Sequence, residues 1–176
     1  MNLAIGGEGK EMSDYLAKVE ELIAEHRSIR DSVKLVGDSV SDQEALNSLR
    51  SAGSDWVPGR LEFLSQKQSR LKQTLNYLEE GLQNHFAREE EVLPPVLGEF
   101  LMRALRLEHQ EIVETIDRAR SVAVDTKLEG MSQEALESQD AEIRQTVDGL
   151  CRMIEGHADK EDLMLETVKV ALDESK

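Results

Sequence analysis

The sequence predicts an all-α protein built as a bundle of four long helices, on three observations. Leu, Glu, Ala, Lys, Arg and Gln dominate a chain whose aromatic content is only 3%, a composition that favours helix when propensities are summed over long windows. Apolar residues recur at spacings of three and four, the period of one helical face, in four separate stretches. Glycine and proline punctuate the segments between those stretches.

The first stretch runs Leu16, Val19, Ile23, His26, Ile29, Val33 and should end near Gly37, a residue suited to a helix C-terminus. Ser41-Asp42-Gln43-Glu44 has the form of a capping box, so a short extra helix is expected near 42–50. Two glycines and Pro58 make residues 51–59 a loop, in which Trp56 would seal one end of the bundle. The second stretch carries the cleanest stripe: Leu61, Leu64, Gln68, Leu71, Leu75, Leu78, Leu82, His85, Glu89, Val92. Pro94 and Pro95 should stop it, with a kinked last turn reaching Gly98 as the alternative. The third reads Leu97 or Leu101, Leu105, His109, Ile112, Ile116, Ala119 and fades near Val124. Beyond Gly130, Ser132 can cap the fourth, which runs Ile143, Val147, Leu150, Ile154 or Met153, His157, Glu161, Met164, Val168. Met153 and Met164 read as core filler, and Tyr15 and Tyr77 as packing residues with hydroxyls at the rim. A length of 176 residues suits one domain, placed at about 11–170, and no second.

A net charge of −15 would repel nucleic acid and anionic membranes and leaves room for a cationic partner. No apolar run is long enough to span a bilayer, and residues 1–12 lack the basic start and apolar stretch of a signal peptide. A cytoplasmic protein is expected. The sole cysteine, Cys151, has no disulfide partner in the chain and no second sulfur for a zinc site. Its nearest base, His157, lies six residues on and faces elsewhere, so Cys151 reads as a small core residue.

All four histidines fall in the stripes, one per helix, where the pattern asks for an apolar side chain. His85 and His157 are each followed four residues later by a glutamate, Glu89 and Glu161, on the same helical face. A carboxylate buried without a partner costs several kcal/mol, on the order of what would force it to protonate, and two converging on one core compound that cost. No Lys or Arg shares the stripes at this level. A metal is the most economical source of compensating charge, and four imidazoles with two carboxylates suit iron, manganese or zinc. Carboxylates able to bridge favour two ions over one. Depth is consistent: an antiparallel turn near Gly98 brings Glu89 and His109 to similar heights, while the second and fourth helices should overhang at the far end. In Glu89-Glu90-Glu91, Glu89 alone shares the stripe of His85, and the rest reads as a solvated charge run.

These residues resemble the hemerythrin-like, or HHE cation-binding, domain family. The resemblance rests on His26, on His85-Phe86-Ala87-Arg88-Glu89-Glu90 leading into Leu93-Pro94, on Leu107-Glu108-His109, and on His157-Ala158-Asp159-Lys160-Glu161-Asp162. It implies an up-down-up-down four-helix bundle around a non-haem di-iron centre bridged by two carboxylates and an oxo or hydroxo species. Carried over by position, His26 and His85 would ligate one iron and His109 and His157 the other, with Glu89 and Glu161 bridging. Oxygen-carrying members have a further histidine where this chain has Val113, and an aspartate where it has Asp162. Glu161 is preferred for its facing, with Asp162 as the alternative.

A ligand set one histidine short leaves more positions for oxygen, nitric oxide, peroxide or water. The expected function is therefore a di-iron protein that binds, senses or reduces a small diatomic or peroxide. A ferritin-like oxidase or peroxidase is the second expectation, disfavoured because that pattern places the carboxylate before the histidine. A metal-free structural or adaptor bundle, dimerising through its overhanging ends, is the third.

Overall fold

The computed structural model describes residues 6–40, 59–124 and 131–174; the expected helix near 42–50 and Trp56 lie outside them. The described residues form helices α1 (Gly6–Val40), α2 (Gly59–Val92), α3 (Pro94–Val124) and α4 (Gln133–Glu174), with no strand among them. α1 packs against α2 and α4, and α3 against the same two. Successive helices are thus neighbours in a closed ring, the up-down-up-down bundle that the stripes and resemblance lead one to expect.

Burial shows why these sequences make these helices. The buried positions of α1 are Val19, Leu22, His26, Ile29, Val33, Val36 and Val40, and the seam of α3 runs Met102, Leu105, His109, Ile112, Ile116, Ala119 and Ala123, with Thr115 buried beside it. Both sets alternate steps of three and four without a fault, the spacing that keeps one seam facing its neighbours along a supercoiled helix. α2 does the same through Leu71, Leu75, Leu78, Leu82, His85, Glu89 and Val92. This alternation corrects the stripes in places. Leu22 takes the seam in place of Ile23, Met102 in place of Leu97 or Leu101, and Leu165 in place of Met164. Residues three and four before a seam position share its face, and strict alternation chooses between them. Ile23, Leu97 and Met164 pack half-buried at the core's edge, while Leu101 is exposed.

The ends differ from expectation in two ways. α1 runs through Gly37 to Val40, because burying Val36 and Val40, each roughly 1.5–3 kcal/mol, outweighs the roughly 1 kcal/mol that a mid-helix glycine costs. At the other junction, Pro94 and Pro95 stop α2 and also open α3, in first-turn positions where a missing N–H loses no hydrogen bond. The N–H groups of Val96 and Leu97 close one turn on the Leu93 carbonyl (3.1 and 3.0 Å). Gly98 then redirects the chain at φ 71°, ψ 165°, a backbone that a side chain would strain. Tyr15 reaches across from α1 and donates its hydroxyl to the Val92 carbonyl, one of the acceptors that a helix end leaves free. Tyr77 does not pack as expected: it is 71% exposed on the outside of α2.

Ser132 caps α4 as its sequence predicts, its Oγ accepting from the Ala135 N–H at 3.3 Å. The core is split into two apolar clusters. The larger includes Ile29, Val33, Leu75, Leu82, Ile116 and Ile154; the smaller includes Val19, Leu22, Leu93, Met102, Leu105 and Leu165. What separates them is a layer of polar side chains.

Candidate metal centre

That layer consists of His26 from α1, His85 and Glu89 from α2, His109 from α3, and His157 and Glu161 from α4, none more than 4% exposed. Each stands at a seam position, so the same alternation that buries leucine and valine above and below turns these six side chains inward. The two i, i+4 pairs put each glutamate one turn from its histidine: His85 Nε2 is 3.0 Å from Glu89 Oε1, and His157 Nε2 is 3.3 Å from Glu161 Oε1.

The glutamates also reach the other helices. Glu89 Oε1 lies 3.7 Å from His26 Nε2, while its Oε2 lies 3.3 Å from His109 Nε2. Glu161 Oε2 lies 3.3 Å from His26 Nε2, while its Oε1 lies 3.7 Å from His109 Nε2. Each carboxylate therefore gives one oxygen to the His26 and His85 pair and the other to the His109 and His157 pair. Two groups able to hold a metal ion result, His26 with His85, Glu89 and Glu161, and His109 with His157, Glu89 and Glu161, the donor atoms of each lying within 4.8 Å of one another. The glutamates belong to both.

Electrostatics set the demand for positive charge. Both oxygens of Glu89 and of Glu161, and Nε2 of His109 and His157, are buried with no hydrogen-bond partner. No Lys or Arg is buried among the described residues, and an unpaired buried charge costs on the order of several kcal/mol. Burial opposes a charge on His26, but the facing carboxylates of Glu161, Glu89 and Asp162 outweigh it and lift its pKa to about 10. Burial likewise opposes a charge on His109, and Glu161, Glu89 and Glu90 lift it to about 9. Burial pushes Glu89 up, yet His109, His26 and His85 hold it well below the usual carboxylate range. Protons on two imidazoles balance the carboxylate charge and leave nitrogen lone pairs without partners. Metal cations match every inward donor at once, and the mixed imidazole and carboxylate set fits iron, manganese or zinc.

The outward ring nitrogens are also engaged. His26 Nδ1 meets Asp162 at 2.5 Å, His85 Nδ1 meets Glu25 at 2.8 Å, His109 Nδ1 meets Glu90 at 3.1 Å and His157 Nδ1 meets Glu108 at 3.0 Å. The sequence reading missed this outer set and left Glu90 in a solvated run, whereas it is half-buried against His109. A signal was present: each of the four acids is the immediate sequence neighbour of an inward-facing residue, as in Glu25-His26, Glu89-Glu90, Glu108-His109 and Glu161-Asp162. Of the last two, Glu161 faces the centre and Asp162 faces His26 from outside. Val113 packs half-buried against the larger cluster and offers no donor.

Comparison with curated proteins gave no match, and neither did comparison with solved structures. Among family models, that of the hemerythrin HHE cation-binding domain matches residues 17–168. The match spans the inward-facing residues of all four helices and nearly the whole chain, which therefore belongs to the hemerythrin HHE cation-binding family.

Proposed function

We propose that the chain is a non-haem di-iron protein that binds, senses or reduces oxygen, nitric oxide or peroxide. His26 and His85 would hold one ion and His109 and His157 the other, with Glu89 and Glu161 shared. The observation that supports this best is the division of each glutamate's two oxygens between the two histidine pairs, the disposition a bridging carboxylate requires. Each group then offers two nitrogens and two oxygens, fewer donors than an octahedral ion takes, so room remains for a small ligand.

Iron held there would supply redox steps and open coordination positions; manganese fits the same donors, and zinc fits them without redox. The protein's own contribution is to bind, orient and shield. Seam packing fixes the six side chains, and the two apolar clusters keep bulk water from both ends of the layer. No described helix is long and apolar enough to cross a membrane, and with the acidic surface this supports a cytoplasmic setting.

The test is to load the protein with ferrous iron without air, then admit oxygen, nitric oxide or peroxide in turn. New absorption between roughly 320 and 500 nm with at least one of them is expected. Iron-loaded protein whose spectrum responds to none would defeat the small-ligand reading.

A further inference from the structure

We infer that Glu25, Glu90, Glu108 and Asp162 are positioning residues for the four imidazoles, joined in a closed ring in which each helix orients the histidine of the next. The inference rests on the two-metal reading above. Glu25 on α1 serves His85 on α2, Glu90 on α2 serves His109 on α3, Glu108 on α3 serves His157 on α4, and Asp162 on α4 serves His26 on α1. An ionised carboxylate only accepts hydrogen bonds, so each Nδ1–H donates outward and each Nε2 faces Glu89 and Glu161, where it would be the atom offered to a metal. His26 Nε2 and His85 Nε2 stand 3.0 Å apart, within hydrogen-bond reach of one another, so a proton on one can bridge them in the metal-free chain and a cation would take its place.

A second ring holds the first in place and runs in the opposite sense. Arg88 on α2 pairs with Glu25, Arg106 on α3 with Glu90 at 3.3 Å, Lys160 on α4 with Glu108 at 2.8 Å, and Arg30 on α1 with Asp162 at 2.7 Å. Each acid is therefore clamped between a histidine and a base that sit three or four residues apart on the same neighbouring helix. A contact fixed from two sides cannot rotate away from the ring it orients.

The bland alternative is that these are surface ion pairs, worth about 0–1 kcal/mol each and unrelated to metal. The structure contains its own controls. Arg30 also binds Asp159 at 2.7 Å, Arg88 also binds Glu21 at 2.8 Å, and Arg106 also binds Glu99 at 3.3 Å. Those three outer acids share an arginine with an inner one, and among the described residues their ion pairs are formed with the arginine alone. If only ion pairing matters, inner and outer acids are equivalent; if imidazole orientation matters, they are not.

The experiment compares Glu25→Ala and Asp162→Ala with Glu21→Ala and Asp159→Ala, using cobalt(II) as probe in competition with a chelator. The inner variants should bind cobalt about 10–100-fold more weakly and shift its d–d absorption bands. The outer ones should stay within about twofold of the parent chain, in keeping with weak surface pairs. Glu25→Gln, which retains an acceptor for His85, should recover most of the affinity and the parental bands, and it carries the comparison if an alanine variant fails to fold. Inner and outer variants that weaken equally, or inner variants with parental affinity and spectrum, would overturn the inference while the two-metal reading stands. An unaltered chain that takes up no cobalt would overturn both.

Discussion

The ring of Phe86 lies flat on the His109 imidazole, centroids 3.9 Å apart and planes 6° from parallel. The same ring meets His157 edge-on at 5.7 Å. Within each histidine pair the imidazoles are T-shaped, at 4.8 Å for His26 and His85 and 5.1 Å for His109 and His157. The two halves of the centre thus share one imidazole arrangement and differ in how Phe86 meets them, stacked on His109 in the second half but only tilted toward His85 at 6.1 Å in the first.

Phe86 is 5% exposed and belongs to the larger apolar cluster, so Phe86→Ala removes core volume and leaves a void beside His109. Metal-free protein should lose about 3–5 kcal/mol of stability, measured by urea denaturation. A loss below about 1 kcal/mol would mean that the ring is not packed as described.

Glu89→Gln and Glu161→Gln keep side-chain shape and remove the negative charge shared by the two histidine pairs. An amide has one acceptor oxygen where the carboxylate has two. Each variant should retain at most one iron per chain by elemental analysis, with helicity by circular dichroism unchanged. Full loading in both variants would show that neither carboxylate bridges.

Stability of the metal-free protein should fall with rising pH. In the unfolded chain His26 and His109 titrate near 6.5, whereas in the folded chain they hold protons to about 10 and about 9. The folded state therefore binds more protons than the unfolded state above 6.5, and linkage makes stability decline with pH. The contribution is complete below about pH 6.5 and gone above about 10. Thermal melting across that window checks the sign: a metal-free Tm that rises toward pH 10 would contradict it. Because metal ions displace these protons, loading should also release acid into weakly buffered solution at pH 7.

Burial pushes the Cys151 thiol up to about 11, helped by Glu155 and Asp148. The thiolate is the reactive form, so Cys151 should resist a disulfide reagent at pH 8 in the folded protein and react once urea unfolds it. Rapid modification of the native chain would place the sulfur in a different environment.

Much of this was legible in the sequence. Polar residues inside an otherwise apolar stripe give away their facing, and so His26, His85, Glu89, His109, His157 and Glu161 could be picked out from periodicity alone. Capping chemistry marked Ser132, and the prolines marked the turn between α2 and α3. What stayed hidden depends on three dimensions. Leu22 and Ile23 both satisfy a helical face, and only the packing of neighbouring helices selects Leu22. Glu25, Glu90, Glu108 and Asp162 lie beside the seam in half-buried positions, where a charged side chain is ordinary, and their targets sit on other helices. Phe86 was passed over because aromatic burial against an imidazole has no periodic signature of its own.

The measurement that bears most directly on the central claim is the number of iron ions bound per chain after loading without air and removal of excess metal. The account requires two, one for each histidine pair, with both retained through gel filtration. A chain that keeps none, or that saturates at one, would contradict it.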